Sequence, residues 1–283
     1  MNSLKYFIQF VMVIFLFLIF KLLGLKYSQK LSAFIFRYIG PMFRSKQIII
    51  SNLSKAFPNL DLIEKKRIIQ KIWSNYGKIF AEYMFIENLS KTKKIIVENQ
   101  NILEKIKNEK KPVIFISGHF NNFELMAMQI EKTGIDLAAI YRPLNNRFLN
   151  PIMEKIRKKY ICKKQIKKGL IGTKELLKNF KSGTSIALMI DQRVSEGITC
   201  EFFGHNAKTT TIPAQFVKKF QANIVPIYIE RTKDNLFKLK IYEILEFKKE
   251  ETLHSITLKL NKILEEMIIN NPEQWIWTHN RWK

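Results

Sequence analysis

Four short apolar runs in the second half of the chain constrain its fold more than any other feature. They are residues 112–117 (PVIFIS), 136–141 (DLAAIY), 184–190 (TSIALMI) and 223–230 (NIVPIYIE). Each is too short for a core helix and too uniformly apolar for a strand with one wet face, so each predicts a strand buried on both faces. Helical spacing occupies the intervals at 122–132, 148–159, 170–180 and 213–220, and an amphipathic helix is expected at 254–269. Residues 191–211 read as a polar loop, and 237–244 alternates like an edge strand. Strands alternating with helices predict an α/β core over 111–283, with a mostly parallel central sheet flanked by helices.

Residues 27–110 read as a helical region packing on that core. Asp61 and Glu64 form a capping-box pattern after the turn Phe57-Pro58-Asn59, and Ile68, Ile69, Ile72 and Trp73 then fall on one helix face. Tyr83, Met84 and Phe85 sit in a further apolar helix, and 91–111 in a basic one. Ahead of this region, residues 7–20 are apolar except for Gln9, and Leu22, Leu23 and Leu25 extend the run past Lys21. That length nearly crosses a bilayer core. No small-residue cleavage pattern follows, so residues 1–26 are expected to be a retained membrane anchor, with spanning and interfacial placements both open. Lys5 precedes the run, whereas Lys21, Lys26, Lys30, Arg37, Arg44 and Lys46 follow it, which places the bulk of the chain in the cytoplasm.

Lys and Arg total 48 against 24 Asp and Glu, a formal net charge of +24. Such self-repulsion points to an anionic partner: nucleic acid, an anionic membrane, a phosphorylated substrate or an acidic carrier protein. The lysines are spread along the chain without a nucleic-acid-binding signature, so a membrane-tethered nucleic-acid-binding protein stands only as an alternative. Cys162 and Cys200 lie far apart and outside any C-x-x-C spacing, and are expected to be reduced and inert, with no metal site.

In such folds reactive groups gather beyond the carboxyl ends of the strands. The first run leads into Gly118-His119-Phe120-Asn121-Asn122-Phe123-Glu124. His119 in that turn can take a proton from a hydroxyl, and Glu124 can fix its tautomer. Asn121-x-x-Glu124 is equally a helix-cap pattern. The second run ends in Tyr141-Arg142-Pro143, where the Arg142 fork suits a phosphate or carboxylate. The third ends at Asp191, which could orient Arg142, bind a sugar hydroxyl or begin a turn. Phe202 and Phe203 before Gly204 fit either an acyl channel or the core. His205 and His254 read as loop and solvated residues. Trp275, Trp277 and Trp282, around His279, read as packing or interfacial anchors.

Taken in order, these motifs resemble the late acyltransferases of lipid A biosynthesis over nearly the whole chain. The resemblance rests on Asn52-Leu53, Phe57-Pro58, Gly118-His119-Phe-x-Asn122-x-Glu124, Tyr141-Arg142-Pro143, Asp191-Gln192, Phe202-Phe203-Gly204, Thr209-Thr210 and the terminal PEQWIWTHNRWK. Asn121 departs from it, standing where the motif often has a small residue or Gly. The resemblance implies acyl transfer from an acyl carrier protein thioester to a hydroxyl of a Kdo-bearing lipid A precursor, at the cytoplasmic face of a Gram-negative inner membrane. His119 and Glu124 would be catalytic, and Asn122, Arg142 and Asp191 would bind substrate, with no metal or cofactor. The expected partners are acyl carrier protein, a phosphorylated glycolipid and the membrane. The alternative within the enzyme class is a His-x4-Glu acyltransferase acting on another membrane glycolipid or phospholipid.

Overall fold

The computed structural model describes residues 2–44 and 46–283. Among them seven strands form one sheet. Across it run β1 (Ile95–Glu98), β9 (Phe237–Ile241), β8 (Ile224–Arg231), β2 (Ile114–Ser117), β5 (Ser185–Met189), β3 (Leu137–Tyr141) and β4 (Lys164–Lys167). The five from β8 to β4 are mutually parallel, β9 runs antiparallel to β8, and β1 is parallel to β9. Helices α5 (Gln100–Glu109), α6 (Glu124–Lys132), α7 (Leu149–Tyr160), α8 (Leu170–Lys181), α9 (Ile212–Phe220) and α10 (Leu253–Asn270) complete the sandwich. The expected fold class is therefore the observed one. β2 is buried throughout and β8 nearly so, which is why both read as unbroken apolar runs.

Three local expectations change. The strand at 237–241 is not an edge strand, because β1 pairs along its outer side. β1 and β4 were hidden, β1 inside a stretch read as helical. Both are four-residue strands at the two ends of the sheet, and β4 buries only Ile166 while its lysines face water. The polar loop contains a hairpin, β6 (Ile198–Phe202) and β7 (His205–Thr209). Its two turn residues, Phe203 and Gly204, both have positive φ (52° and 71°), the geometry of a tight hairpin turn.

The N-terminal helices wrap one side of this core. α1 (Asn2–Phe43) continues past residue 26 but breaks at Gly24 (φ 71°, ψ 168°), a left-handed conformation that suits glycine. Ser28 Oγ donates to the Phe20 and Gly24 carbonyls freed at the break (2.9 and 2.7 Å). After α2 (Lys46–Ala56), the second limb of α1 lies against α3 (Leu62–Glu82). Gly77 sits so close to Ser32 that a Cβ there would come within 2.3 Å of its carbonyl oxygen. The Asp61–Glu64 capping box is formed in both directions. A short turn (Tyr83–Phe85) and α4 (Ile86–Lys91) then lead to the sheet.

On the first limb of α1, Leu4, Phe7, Ile8, Val11, Met12, Phe15, Leu18 and Leu22 make an exposed apolar stripe. The opposite face meets the protein: Phe20 is buried, Phe17 packs on Phe80 and Phe10 on Phe148, while Phe7 at the edge of the stripe also touches Phe148. The loop after β3 grips the start of the helix, with Asn146 Nδ2 donating to the Tyr6 carbonyl (2.8 Å) and Arg147 to Ser3 Oγ (2.7 Å).

Candidate active site

β2 and β5 are adjacent parallel strands in which Ser117 pairs with Met189. Two residues beyond each of that pair stand His119 and Asp191, so strand register alone delivers an imidazole and a carboxylate to the same place. His119 Nδ1 lies 2.8 Å from Asp191 Oδ1, and the His119 backbone N–H donates to Asp191 Oδ2 at 2.8 Å. A carboxylate only accepts, so Nδ1 carries the proton and Nε2 is left as the acceptor. Gly118 makes the approach possible: a Cβ there would lie 2.9 Å from the Phe120 ring and 3.2 Å from Asp191 Oδ2. Asp191 is fully buried and also accepts from Trp275 Nε1 at 2.8 Å. Burial by itself would raise its pKa. The charge of His119 and the hydrogen bonds from His119 and Trp275 outweigh that, leaving the carboxyl below its ordinary range.

Glu124 is elsewhere. Its Oε1 accepts from Arg157 Nε at 2.9 Å, from Arg157 Nη2 and from the Tyr83 hydroxyl. The expected partner of His119 is Glu124; the structure places Asp191 on its Nδ1 instead, and Glu124 ties α7 to α6 through Arg157. The reason is direction: Glu124 opens α6 and faces α7, whereas Asp191 leaves the strand beside His119. Glu124 is not a helix cap for Asn121 either, since the cap position is Phe123 and no side chain caps it. Desolvation works against the Arg157 charge, but Glu124 beside it more than compensates and keeps the guanidinium firmly protonated.

Asn122, expected to bind substrate, is fully buried, and its Nδ2 donates to Glu82 (2.9 Å). Glu82 is in turn held by Arg231 (2.6 Å) and by Gln29 of α1 (2.6 Å). Asn121, the departure from the family motif, has φ 41°, a conformation in which Asn is among the few tolerated side chains besides Gly. Its amide donates to Asn75 and Gln274 and its carbonyl oxygen accepts from Arg231, so it locks the His119 turn from behind. Arg142 is exposed and makes no hydrogen bond or ion pair among the described residues. Asp191 is committed to His119 and Trp275 rather than to Arg142.

The terminal signature builds the site instead of merely packing. Gln274 receives the Asn121 N–H on its backbone carbonyl (2.7 Å) and Trp275 reaches Asp191. The carbonyls of Trp277 and His279 accept from Asn52. His279 Nε2 accepts the Arg193 N–H at 2.9 Å, and burial holds its pKa below the ordinary imidazole range against the pull of Asp191. Arg281 bonds Lys208 and Thr209 of the hairpin, and Trp282 the Phe202 carbonyl. Phe202 is therefore core, fully buried and in tilted ring contact with Trp275 and Trp282.

A channel exists on the other side of His119. A cavity of about 370 Å³ is lined by Val13 and Phe17 of α1, Tyr76, Ile79, Phe80 and Tyr83, Phe123, Leu144, then Leu149, Ile152, Met153 and Ile156 of α7, and Ile276, with His119, Asn121 and Gln274 among its polar residues. This volume lies within the usual range for small-molecule sites. The sequence did not disclose it, because its walls come from α1, α3 and α7, elements distant in the chain whose apolar residues read as ordinary helical spacing. A long aliphatic chain matches the lining: each methylene withdrawn from water contributes about 0.8 kcal/mol.

A sequence profile of the bacterial lipid A biosynthesis acyltransferases matches residues 1–283. Curated relatives agree. The chain is 23% identical over 257 residues to the lipid A biosynthesis lauroyltransferase of Escherichia coli, covering 86% of this chain and 80% of the relative. It is 20% identical over 261 residues to the myristoyltransferase of the same organism (89% and 80%). It is 21% identical over 249 residues to lipid A biosynthesis acyltransferase 2 of Shigella flexneri (85% and 79%). With an imidazole–carboxylate pair opening on an apolar cavity, and a family match along its whole length, the chain belongs to the bacterial lipid A biosynthesis acyltransferase family.

Proposed function

We propose that the protein transfers a fatty acyl group from an acyl carrier protein thioester to a hydroxyl of a phosphorylated, Kdo-bearing lipid A precursor at the cytoplasmic face of the inner membrane. The observation that carries this reading is His119, held by Asp191 through Nδ1 and lining an apolar cavity. In this reading the fatty chain occupies the cavity and its thioester carbonyl lies at His119. Nε2 takes the proton of the acceptor hydroxyl as its oxygen attacks that carbonyl. The C–S bond breaks as the C–O bond is completed, and the leaving thiolate takes the proton back from the imidazolium. Asp191 fixes the tautomer and stabilises the transient cation. A thioester is already activated, so this route asks for neither ATP nor a metal.

Glu124 acts here through Arg157, as a positioning residue that keeps α7 in place as a cavity wall. Arg142, exposed beyond β3 and free of partners among the described residues, is available to a phosphate of the acceptor. The +24 charge suits both an acidic carrier and an acidic glycolipid. The outer stripe of α1 lies in the membrane while its inner face closes the cavity. The test is purified enzyme given a defined acyl carrier protein thioester and a Kdo-bearing precursor, with product mass read by spectrometry. The expected product is heavier than the precursor by one acyl group. Transfer to a phospholipid or another glycolipid, with none to the precursor, would overturn the proposed acceptor.

A further inference from the structure

Four large apolar side chains among the described residues are more than 80% exposed: Leu22 (88%) and Met42 (82%) on α1, and Leu170 (87%) and Ile171 (83%) at the start of α8. The first two belong to the helix already read as membrane-bound. The second pair is unexplained, and it is not a floppy tip. Gly169 stands at φ 138°, which favours glycine. A Cβ at Gly172 would lie 1.9 Å from the Lys167 carbonyl oxygen, so the start of α8 is pressed against the end of β4. Thr173 N–H bonds the Gly169 carbonyl (2.9 Å) and Lys168 N–H the Tyr141 carbonyl (2.8 Å). The fold holds two adjacent aliphatic side chains out in solvent.

Their place supplies the partner. Tyr141 pairs with Lys167 across β3 and β4, so this tip leaves the sheet beside the 142–148 loop that grips the start of α1. It is at the His119 end of the sheet, and the charge of Lys168 is felt by His279. Exposed Lys167, Lys168 and Lys174 lie within three residues of the pair along the chain, Lys167 also meeting Glu154 at 3.6 Å. An exposed aliphatic pair outside α1, Leu62 and Ile63, differs in place and is bounded directly by the Asp61 and Glu64 carboxylates, with exposed Lys66 and Arg67 after them; about 20–25 Å of helix separates it from the cavity-lining end of α3.

We propose that Leu170 and Ile171 insert into the same anionic bilayer as α1, with Lys167, Lys168 and Lys174 on the lipid headgroups, forming a second membrane contact on the far side of the cavity mouth. Apolar insertion combined with a few lysines is the chemistry of a peripheral membrane contact. The proposal rests on the reading that the outer stripe of α1 lies in lipid.

The test places a polarity-sensitive fluorophore on the full chain through Ile171→Cys, with Leu22→Cys and Ser182→Cys as references; native Cys162 and Cys200 are buried. Ser182 is exposed at the opposite end of α8. The protein is reconstituted in vesicles of phosphatidylglycerol and phosphatidylethanolamine, with or without brominated acyl chains. The expected result is blue-shifted, bromine-quenched emission at positions 22 and 171 and an aqueous signal at 182. Neutralising Lys167 and Lys168 to Gln should weaken the partition of the tip about fivefold per lysine while leaving the Leu22 signal unchanged. An aqueous signal at 171 with a quenched one at 22 overturns the second contact alone. Aqueous signals at both overturn the membrane reading of α1 as well. Shielding at 171 that bromine does not quench assigns the tip to a protein contact and overturns the proposal.

Discussion

The two sides of the cavity are built in opposite ways. The inner side carries His119 and Asp191 on the ends of buried parallel strands. Their geometry is fixed by backbone register, by Gly118, by Trp275 and by the Asn121–Gln274 lock. The outer side is the first limb of α1 and α7, a helix none of whose residues is fully buried. It is held by the Glu124–Arg157 pair, by Tyr141 on Glu154, by the Leu144 N–H on Asn150, and by the 146–148 loop on α1. Reacting atoms need a tightly fixed geometry, whereas a flexible chain needs a wall that can yield. In the proposed reaction the two acidic residues of the site divide along this line, Asp191 with the reacting imidazole and Glu124 with the wall.

The largest effect should come from the inner side. His119→Ala is expected to lower kcat roughly 10²- to 10⁴-fold with the melting temperature almost unchanged. Asp191→Asn should fall in the same range, because an amide facing Nδ1 can donate and so reverse the tautomer. Near-normal turnover of Asp191→Asn in steady-state assays would remove the carboxylate from the mechanism.

Glu124→Gln comes next and separates the two sides. Breaking a buried ion pair costs about 3 kcal/mol or more when one charge is left alone. The expected outcome is lower stability, faster amide exchange in α7, and a loss of kcat/KM that is greater for long acyl donors than for short ones. Equal loss at every chain length, with α7 exchange unchanged, would return Glu124 to the chemistry. On the outer wall itself, Phe17→Ala should enlarge the cavity and move donor preference toward longer chains by roughly tenfold, measured by competition between two thioesters. Unchanged preference would mean that α1 does not limit the chain.

The smallest effect concerns pH. His279 has a folded pKa below that of the unfolded chain, so unfolding takes up a proton once the pH falls through the ordinary imidazole range. Stability should therefore decline from pH 7.5 to 5.5, and His279→Gln should flatten that slope in melting curves. An unaltered slope in the variant would place the pH sensitivity elsewhere.

The sequence disclosed the fold wherever strands were buried on both faces, as at 114–117 and 224–231, because burial leaves an uninterrupted apolar run. It hid β4, whose lysines look like loop, and the hairpin, whose turn carries Phe at positive φ. His119 was legible from its place in a glycine turn. Its partner was not, because nothing in the order of the strands along the chain says that β2 and β5 are neighbours. Arg157 was hidden among the basic residues at the end of α7, and Trp275 looked like any other aromatic of the terminal signature. These are contacts between elements distant in the chain, and local periodicity carries no information about them.

The equal offset of His119 and Asp191 from the Ser117–Met189 pair also governs how this family can diverge. Side chains alternate faces with a period of two, so one residue inserted before Asp191 would turn its carboxylate to the opposite side of the sheet. Substitutions at packing positions face no such arithmetic. Relatives only 20–23% identical can differ at most sites while keeping two short counts of residues. Lineages that gain or lose residues should do so in loops such as that before β9, and the segments 117–119 and 189–191 should keep their lengths long after most of their neighbours have changed.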